Sequence, residues 1–155
     1  MAAPPSRARS PQAVLFACGL NSVRSPMAAS LLQQMLPQLY VKSAGVRKGE
    51  LDPFAVSVMA ELGQDISSHK PTTFEELEDW EGLNFDLIIT LSPEAHHKAL
   101  ELTRTLAADV EYWPTHDPST SDGNREQKMD AYREVCDQLL LRIRRRFAKV
   151  GAASG

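Results

Sequence analysis

The residues best suited to chemistry in this chain are a cysteine and an arginine on one short loop. The stretch ACGLNSVRSP places Cys18 six positions before Arg24, with Ser25 and Pro26 directly after. The apolar run before it predicts a buried strand, and we expect a helix to begin at Ser25 with Pro26 in its first turn. A loop between a buried strand and a helix start directs its N–H groups and the positive end of the helix dipole into one small space. Such a space suits an anion.

The residue types of this loop fit an oxyanion such as phosphate. Cys18 as a thiolate is a nucleophile, and the planar guanidinium of Arg24 can hold two phosphoryl oxygens, a geometry that lysine cannot reproduce. Ser25 has two competing roles, to cap the helix or to donate to the Cys18 sulfur. The loop residues between Cys18 and Arg24, which we expect to bind the substrate anion, are Gly19, Leu20, Asn21, Ser22 and Val23. A cysteine and an arginine at this spacing also occur by chance, so the prediction depends on the strand before them and the helix after them.

Cleavage of a phosphate ester through cysteine also requires an acid to protonate the leaving oxygen. Asp52-Pro53 opens an amphipathic helix, so this carboxylate is best explained as an N-cap. Asp117-Pro118 follows a predicted strand and precedes a stretch without a helical pattern, and no capping role is evident for it. We therefore predict Asp117 as the general acid. The alternative is a simple turn aspartate, and Asp122 and His116 are the nearest substitutes.

The elements that must position these residues alternate along the chain. Four apolar runs predict strands, at residues 13–17, 39–42, 85–91 and 110–113. Helices are predicted from Ser25, from Asp52 as N-cap to Gly63, at about 93–106 and at about 124–147; a short acidic segment at 75–81 precedes the third helix. This alternation predicts an α/β three-layer sandwich, a parallel sheet covered by helices on both faces. In such a sheet the ligand crevice lies beyond the carboxyl ends of the strands, where Cys18 falls.

Length and composition predict one compact domain. The chain has 155 residues, of which 43% are hydrophobic and 24% charged. We expect mobile tails at residues 1–11 and 150–155 around a domain at residues 12–149. The net charge of −3 argues against non-specific binding to nucleic acid or to an anionic membrane, and no apolar run approaches the roughly 20 residues of a membrane span. Two cysteines without metal-ligand spacing predict a cytoplasmic protein without a metal or cofactor.

Several motifs in order carry a family resemblance. They are VLFACGLNSVRSPM at residues 14–27, SAG at 43–45, the strand FDLIITL and the late Asp-Pro pair. Together they resemble the low-molecular-weight protein tyrosine phosphatases and their relatives, the thiol-dependent arsenate reductases, over nearly the whole chain outside the tails. The resemblance implies a four-stranded parallel sheet with a phosphate-binding loop after the first strand. It implies Cys18 as nucleophile, Arg24 as phosphate clamp, Ser25 as partner of the thiolate and Asp117 as general acid. It also implies a polar network that supports the loop, formed by Asn21, Ser43 and His69.

The chain departs from that family pattern near the site. Leu20 replaces a usual glycine, and Val23 replaces a second loop cysteine, so the family's protective disulfide within the loop cannot form. Ser119 replaces the tyrosine that usually follows Asp-Pro, which removes an aromatic wall. The arsenate reductase branch needs extra cysteines after the third strand, where this chain has Ser92 and no thiol. Cys136 lies on the apolar stripe of the last helix and is predicted to be a core residue.

These observations lead to one hypothesis and two alternatives. The leading hypothesis is a metal-independent cysteine phosphatase that hydrolyses phosphomonoesters, namely protein phosphotyrosine or a similar aryl phosphate. Its expected partners are a phosphorylated protein or a small phosphomonoester, inorganic phosphate and other oxyanions. The first alternative is an arsenate reductase that uses an external thiol. The second is a non-catalytic phosphate-binding regulatory domain, an alternative raised by Leu20 in the loop.

Overall fold

Four parallel strands form the centre of the molecule. The structure is a computed structural model that describes residues 10–154, and side chains as far as residue 148. The strands are β1 (Ala13–Cys18), β2 (Tyr40–Gly45), β3 (Leu87–Thr90) and β4 (Asp109–Tyr112), in the order β2-β1-β3-β4. β1 pairs in parallel with β2 and β3, and β3 with β4. The predicted α/β fold with a four-stranded parallel sheet is confirmed, and β1 delivers Cys18 to the carboxyl edge between its two neighbours.

Within residues 10–154, five helices cover both faces of this sheet, so the side chains of the two central strands, β1 and β3, are buried on both sides. They are α1 (Arg24–Met35), α2 (Pro53–Glu61), α3 (Phe74–Glu81), α4 (Pro93–Leu102) and α5 (Arg125–Ser154). On one face Val14, Phe16 and Cys18 pack in a core with α1, α2 and α5. On the other face Leu15 and Ala17 pack with α3 and α4. None of the helices in residues 10–154 is long and apolar enough to cross a membrane.

Several predicted boundaries differ from the structure. α1 begins at Arg24, and its N-cap Val23 makes no side-chain capping bond, so the predicted capping role of Ser25 is wrong. α4 ends at Leu102 with Thr103 as C-cap rather than near residue 106, in keeping with the low helix propensity of threonine. α5 continues to Ser154, so residues 150–154, predicted as a tail, are helical. Of the predicted N-terminal tail, residues 1–9 lie outside the described residues, and Pro11 is buried.

α3 is a helix that the sequence analysis did not assign. Its start carries a capping box, in which Glu76 N–H donates to Thr73 Oγ1 and Thr73 N–H donates to Glu76 Oε1, both at 3.1 Å. Phe74 and Leu77 face the core, and Gly82 ends the helix with a φ of +80°. The pattern Thr-x-x-Glu in front of an apolar residue is a recognised helix start, so the signal was present in the acidic segment.

Candidate active site

The phosphate-binding loop is taken as residues 18–23, from the last residue of β1 to the residue before α1. Every backbone carbonyl oxygen of this loop accepts a hydrogen bond. Four of these oxygens accept from the segment of residues 46–52, which follows β2 and runs alongside the loop. The other two accept from His69 Nε2 and from the first turn of α1. The bonds are Val46 N to Cys18 O (3.2 Å), Arg47 N to Gly19 O (2.9 Å), Gly49 N to Leu20 O (3.0 Å), His69 Nε2 to Asn21 O (3.1 Å), Asp52 N to Ser22 O (3.2 Å) and Met27 N to Val23 O (3.2 Å). The loop is therefore anchored through its acceptors.

The backbone N–H groups of the same loop differ from its carbonyl oxygens in their hydrogen bonding. Within residues 10–154, the backbone N–H groups of residues 19–23 donate no hydrogen bond to any protein acceptor. Backbone N–H groups are almost always paired in folded proteins, so five successive free donors at the start of α1 form a ready site for an anion. This arrangement matches the cradle that the sequence predicts.

Cys18 lies at the base of this cradle and is only 2% exposed. Its Sγ is 2.9 Å from Ser25 Oγ, and Ser25 Oγ accepts from Asn21 Nδ2 at 2.8 Å. Because the amide already supplies one hydrogen to this hydroxyl oxygen, the serine proton is available for the sulfur. Of the two roles predicted for Ser25, the position of its hydroxyl fits donation to the Cys18 sulfur and not capping of the helix.

Asn21 stabilises the loop conformation through its backbone and its side chain. Its φ is +56°, the left-handed region, which asparagine tolerates better than most residues. Its Oδ1 accepts from Thr72 N–H at 2.8 Å, and its carbonyl oxygen contacts His69 Nε2 at 3.1 Å. Burial lowers the pKa of His69. Because a carbonyl oxygen can only accept a hydrogen bond, Nε2 carries the proton in this contact.

Ser43 does not join this network. It lies within β2, and within residues 10–154 its side chain makes no hydrogen bond to Asn21 or His69, although it lines a cavity of about 600 Å³ that His69 and Thr72 also line. Two residues that the sequence analysis did not select support the loop instead. Thr72 supplies the N–H to Asn21, and Gly45 allows close approach, since a Cβ at Gly45 would lie 2.5 Å from the Arg47 carbonyl oxygen and 2.9 Å from Asn21 N. The glycine at the end of β2 was the available signal.

Arg24 and Asp117 face each other beside the cradle. Arg24 Nη1 donates to the Thr115 carbonyl oxygen at 3.0 Å, and Nη2 lies 3.9 Å from Asp117 Oδ2. Asp117 Oδ1 accepts from both the N–H and the hydroxyl of Ser119, at 3.0 and 2.7 Å. Asp117 therefore caps the short 3-10 turn Pro118–Thr120, and the expectation that it has no capping role is wrong.

Cys18, Arg24 and Asp117 line one cavity of about 450 Å³. Leu20, Ser22 and Val23 of the loop also line it, whereas the two substitute acids, Asp122 and His116, do not. Leu20 lines the cavity and is 40% exposed, so its side chain is partly accessible to solvent.

Sequence reasoning missed two residues on the cavity wall. Asp52 is the predicted N-cap of α2, with Oδ1 accepting from Phe54 N–H at 2.8 Å, but it also lines the cavity. Its Oδ2 accepts from the Tyr132 hydroxyl at 2.6 Å. Burial and this bond to a carboxylate raise the pKa of Tyr132. Tyr132 lies 80 positions away in sequence, on the apolar stripe of α5, and no local pattern indicates its partner.

Cys136 is a core residue, as predicted. It is 2% exposed and its Sγ is 3.9 Å from Met59 Sδ, between α5 and α2. Burial, with a smaller contribution from Asp137, raises the pKa of its thiol to about 11. The chain has two cysteines in total, so Cys18 has no second thiol beside it.

Comparisons with known proteins agree with this geometry. Residues 13–153 match the family model described as low molecular weight phosphotyrosine protein phosphatase. An arsenate reductase from Bacillus licheniformis is 34% identical over 92% of this chain and 99% of its own length. The tyrosine phosphatase AmsI of Erwinia amylovora has the same fold, with a TM-score of 0.72 and 20% identity over 90% of this chain and 93% of that one. An arsenate reductase in the phosphate-binding state aligns with a TM-score of 0.66 and 25% identity over 89% of this chain and 98% of that one. The chain belongs to the low molecular weight phosphotyrosine protein phosphatase family.

Proposed function

We propose that the protein is a metal-independent cysteine phosphatase that hydrolyses phosphomonoesters through a cysteinyl-phosphate intermediate. The observation that carries the proposal is the anchored loop, whose carbonyl oxygens are all bonded while its N–H groups are left for an anion above the Cys18 sulfur. The match to a phosphatase family supports the same chemistry, and the phosphate-binding state of an arsenate reductase of similar structure supports binding of an oxyanion.

In the first step the Cys18 thiolate attacks phosphorus and the P–O bond to the leaving group breaks. Asp117 gives its proton to the departing oxygen, which leaves as an alcohol or phenol. The loop N–H groups and the Arg24 guanidinium hold the equatorial phosphoryl oxygens, where negative charge accumulates in the transition state. Arg24 is already aimed at this space by its bond to the Thr115 carbonyl oxygen.

In the second step Asp117 takes a proton from water, and the resulting nucleophile attacks the phosphorus of the intermediate. The P–S bond breaks, and its electron pair returns to the Cys18 sulfur as inorganic phosphate forms. Ser25, 2.9 Å from that sulfur, donates its hydroxyl proton in a hydrogen bond and stabilises the departing thiolate. Asp117 is protonated again and ready for the next turnover.

Aryl phosphates, such as protein phosphotyrosine, are the proposed substrate class. Because Cys18 is 2% exposed at the base of the cavity, phosphorus must extend some distance from the substrate backbone to reach it. A phenyl ring supplies that length, whereas a phosphoserine side chain is much shorter. Leu20 and Phe54 provide apolar contact along the wall, although Ser119 replaces the usual aromatic residue there.

The first experiment measures hydrolysis of p-nitrophenyl phosphate with a chelator present. The wild type should turn over, and Cys18→Ser should lose at least about 10⁴-fold in kcat, because the nucleophile is removed. Cys136→Ala is the matched control: it removes the other thiol, in the core, and should retain activity. A folded wild type without turnover, or a Cys18→Ser variant as active as the wild type, would contradict the proposal.

A second candidate function is an arsenate reductase, favoured by 34% identity to such an enzyme over 99% of its length. The Cys18 thiolate would displace an oxygen of arsenate, which leaves as water, and form an S–As(V) bond. One external thiol would then attack the Cys18 sulfur, so that the S–As bond breaks with its electron pair on arsenic and arsenite leaves. A second external thiol would reduce the resulting mixed disulfide, which frees Cys18 and leaves the two external thiols as a disulfide. The thiols must be external because Cys136 is buried in the core. Arsenate-dependent consumption of glutathione, lost in Cys18→Ser, would support this function. Phosphate binding without hydrolysis of phosphate esters and without reduction of arsenate would instead identify a regulatory phosphate-binding domain.

A further inference from the structure

The two carboxylate oxygens of Asp117 lie in different surroundings. Oδ1 accepts two hydrogen bonds from Ser119, from the N–H at 3.0 Å and from the hydroxyl at 2.7 Å. Oδ2 faces Arg24 Nη2 at 3.9 Å, beyond hydrogen-bond distance. Within residues 10–154 no donor forms a hydrogen bond to Oδ2.

We propose that Ser119 is a positioning residue that turns the Asp117 carboxyl so that the transferable proton is carried on Oδ2. The inference rests on the proposed phosphatase function. An oxygen that already accepts two hydrogens is a poor place for an acidic proton, and the backbone N–H cannot reverse its direction as a hydroxyl can. The proton therefore resides on Oδ2, the oxygen on the side of Arg24.

This placement defines the path of the proton in both steps. When the ester is cleaved, the Oδ2–H bond breaks and the proton moves to the leaving oxygen. When the intermediate is hydrolysed, Oδ2 takes a proton from the attacking water. The N–H and the hydroxyl of Ser119 donate hydrogen bonds to Oδ1 in both steps. Without the Ser119 hydroxyl only the single N–H bond restrains the carboxyl, so its rotation brings the protonated oxygen out of line with the leaving group.

The same chain contains a second Asp-x-Ser turn with the same bonds. Asp65 Oδ1 accepts from Ser67 N–H at 2.8 Å and from the Ser67 hydroxyl at 2.5 Å. These bonds lower the pKa of Asp65. Asp65 does not line the cavity of Cys18, so the two bonds arise there from the Asp-x-Ser sequence pattern alone. At Asp117 the same pair of bonds acts on a carboxyl that lines the cavity of Cys18, where it bears directly on proton transfer.

The test compares Ser119→Ala, Ser119→Thr and Ser67→Ala with two substrates. Phenol is a poorer leaving group than p-nitrophenol, so phenyl phosphate depends on the acid and p-nitrophenyl phosphate depends on it much less. For Ser119→Ala we expect a loss in kcat/KM of about tenfold on phenyl phosphate, a part of the roughly 10²–10⁴ that general acid catalysis supplies. We expect no change in kcat/KM on p-nitrophenyl phosphate. The comparison uses kcat/KM because it reports the steps up to cleavage of the P–O bond, whereas hydrolysis of the intermediate is the same for both substrates.

The two other variants control the result. Ser119→Thr keeps a hydroxyl at the same place and should restore the phenyl phosphate rate, whereas Ser67→Ala removes the equivalent bond elsewhere and should leave both rates unchanged. An equal loss on both substrates, or no loss on phenyl phosphate, would overturn the proposal while the phosphatase function stands. A wild type inactive on both substrates would overturn the phosphatase function, and this inference with it.

Discussion

Two Asp-Pro pairs, Asp52-Pro53 and Asp117-Pro118, line the same cavity and start from the same local geometry. In each, Oδ1 of the aspartate accepts from the N–H two residues on, at 2.8 Å for Asp52 and at 3.0 Å for Asp117. The difference lies in the second oxygen. Asp52 Oδ2 receives the Tyr132 hydroxyl at 2.6 Å, whereas Asp117 Oδ2 has its nearest ionic partner, Arg24, at 3.9 Å.

The local Asp-Pro sequence determines the hydrogen bond of the first carboxylate oxygen, whereas the tertiary fold determines what the second oxygen contacts. The local chain gives both aspartates a helix or turn to cap, which occupies one oxygen. α5 then brings Tyr132 against Asp52 and occupies the other. Asp52 thereby joins α2 to α5, while its N–H bonds the Ser22 carbonyl oxygen of the loop. Asp117 keeps one oxygen available for proton transfer.

The largest expected effect tests this division of roles directly. Asp117→Asn should lower kcat/KM on phenyl phosphate by about 10²–10⁴-fold, because an amide cannot supply the proton to the leaving oxygen. The loss on p-nitrophenyl phosphate should be much smaller. Asp52→Asn should change kcat by less than about threefold, which corresponds to under 1 kcal/mol, because asparagine caps a helix as well as aspartate does.

Steady-state kinetics on both substrates, with circular dichroism to verify folding, measure this contrast. Equal losses of activity in Asp117→Asn and Asp52→Asn would show that both carboxylates take part in catalysis, which would contradict the different roles assigned to them. A uniform loss in kcat/KM across leaving groups in Asp117→Asn would show that Asp117 is not the acid that protonates the leaving oxygen.

The comparison also shows how far the sequence predicts the site. The strand before Cys18, the helix after Arg24 and the cap at Asp52 follow from short-range patterns, because burial period and capping chemistry act over a few residues. The Tyr132 hydroxyl on Asp52 spans 80 positions, and nothing in the apolar stripe of α5 encodes it. The capping bond of Asp117 was missed for a different reason, since a 3-10 turn of three residues has no helical pattern to detect.

The support of the loop gives a similar lesson. The resemblance implies that Asn21, Ser43 and His69 support the loop. In the structure Asn21 bonds Thr72 N–H and His69 bonds the Asn21 carbonyl oxygen, whereas β2 brings Gly45 rather than Ser43 close to the loop backbone. Glycine carries no side chain that could signal a contact, so its role is visible only when the two backbones are in place. The capping box of α3 is the opposite case, because its residues are adjacent in sequence and could have been recognised.

The smallest expected effect concerns the hydroxyl that distinguishes the two aspartates. Tyr132→Phe removes the donor to Asp52 Oδ2 and keeps the ring that stacks on Phe54 at 5.3 Å. Because Asp52 lines the cavity and water can replace the lost donor, the free energy of unfolding should fall by about 1 kcal/mol, within the usual range for one hydrogen bond. The midpoint of thermal unfolding should then fall by about 2–4 °C, with kcat nearly unchanged.

The pH dependence of this stability difference has a definite sign. The folded protein raises the pKa of Tyr132, so the phenol keeps its proton at a pH where the unfolded chain has lost it. The advantage of the wild type over Tyr132→Phe should be full below about pH 10, the ordinary tyrosine pKa, and should shrink as the pH rises above it. Denaturant unfolding of both proteins at neutral and alkaline pH measures this difference. An advantage that grows above pH 10 would mean that the Tyr132 hydroxyl is not held by the Asp52 carboxylate, and the contrast between the second oxygens of Asp52 and Asp117 would be lost.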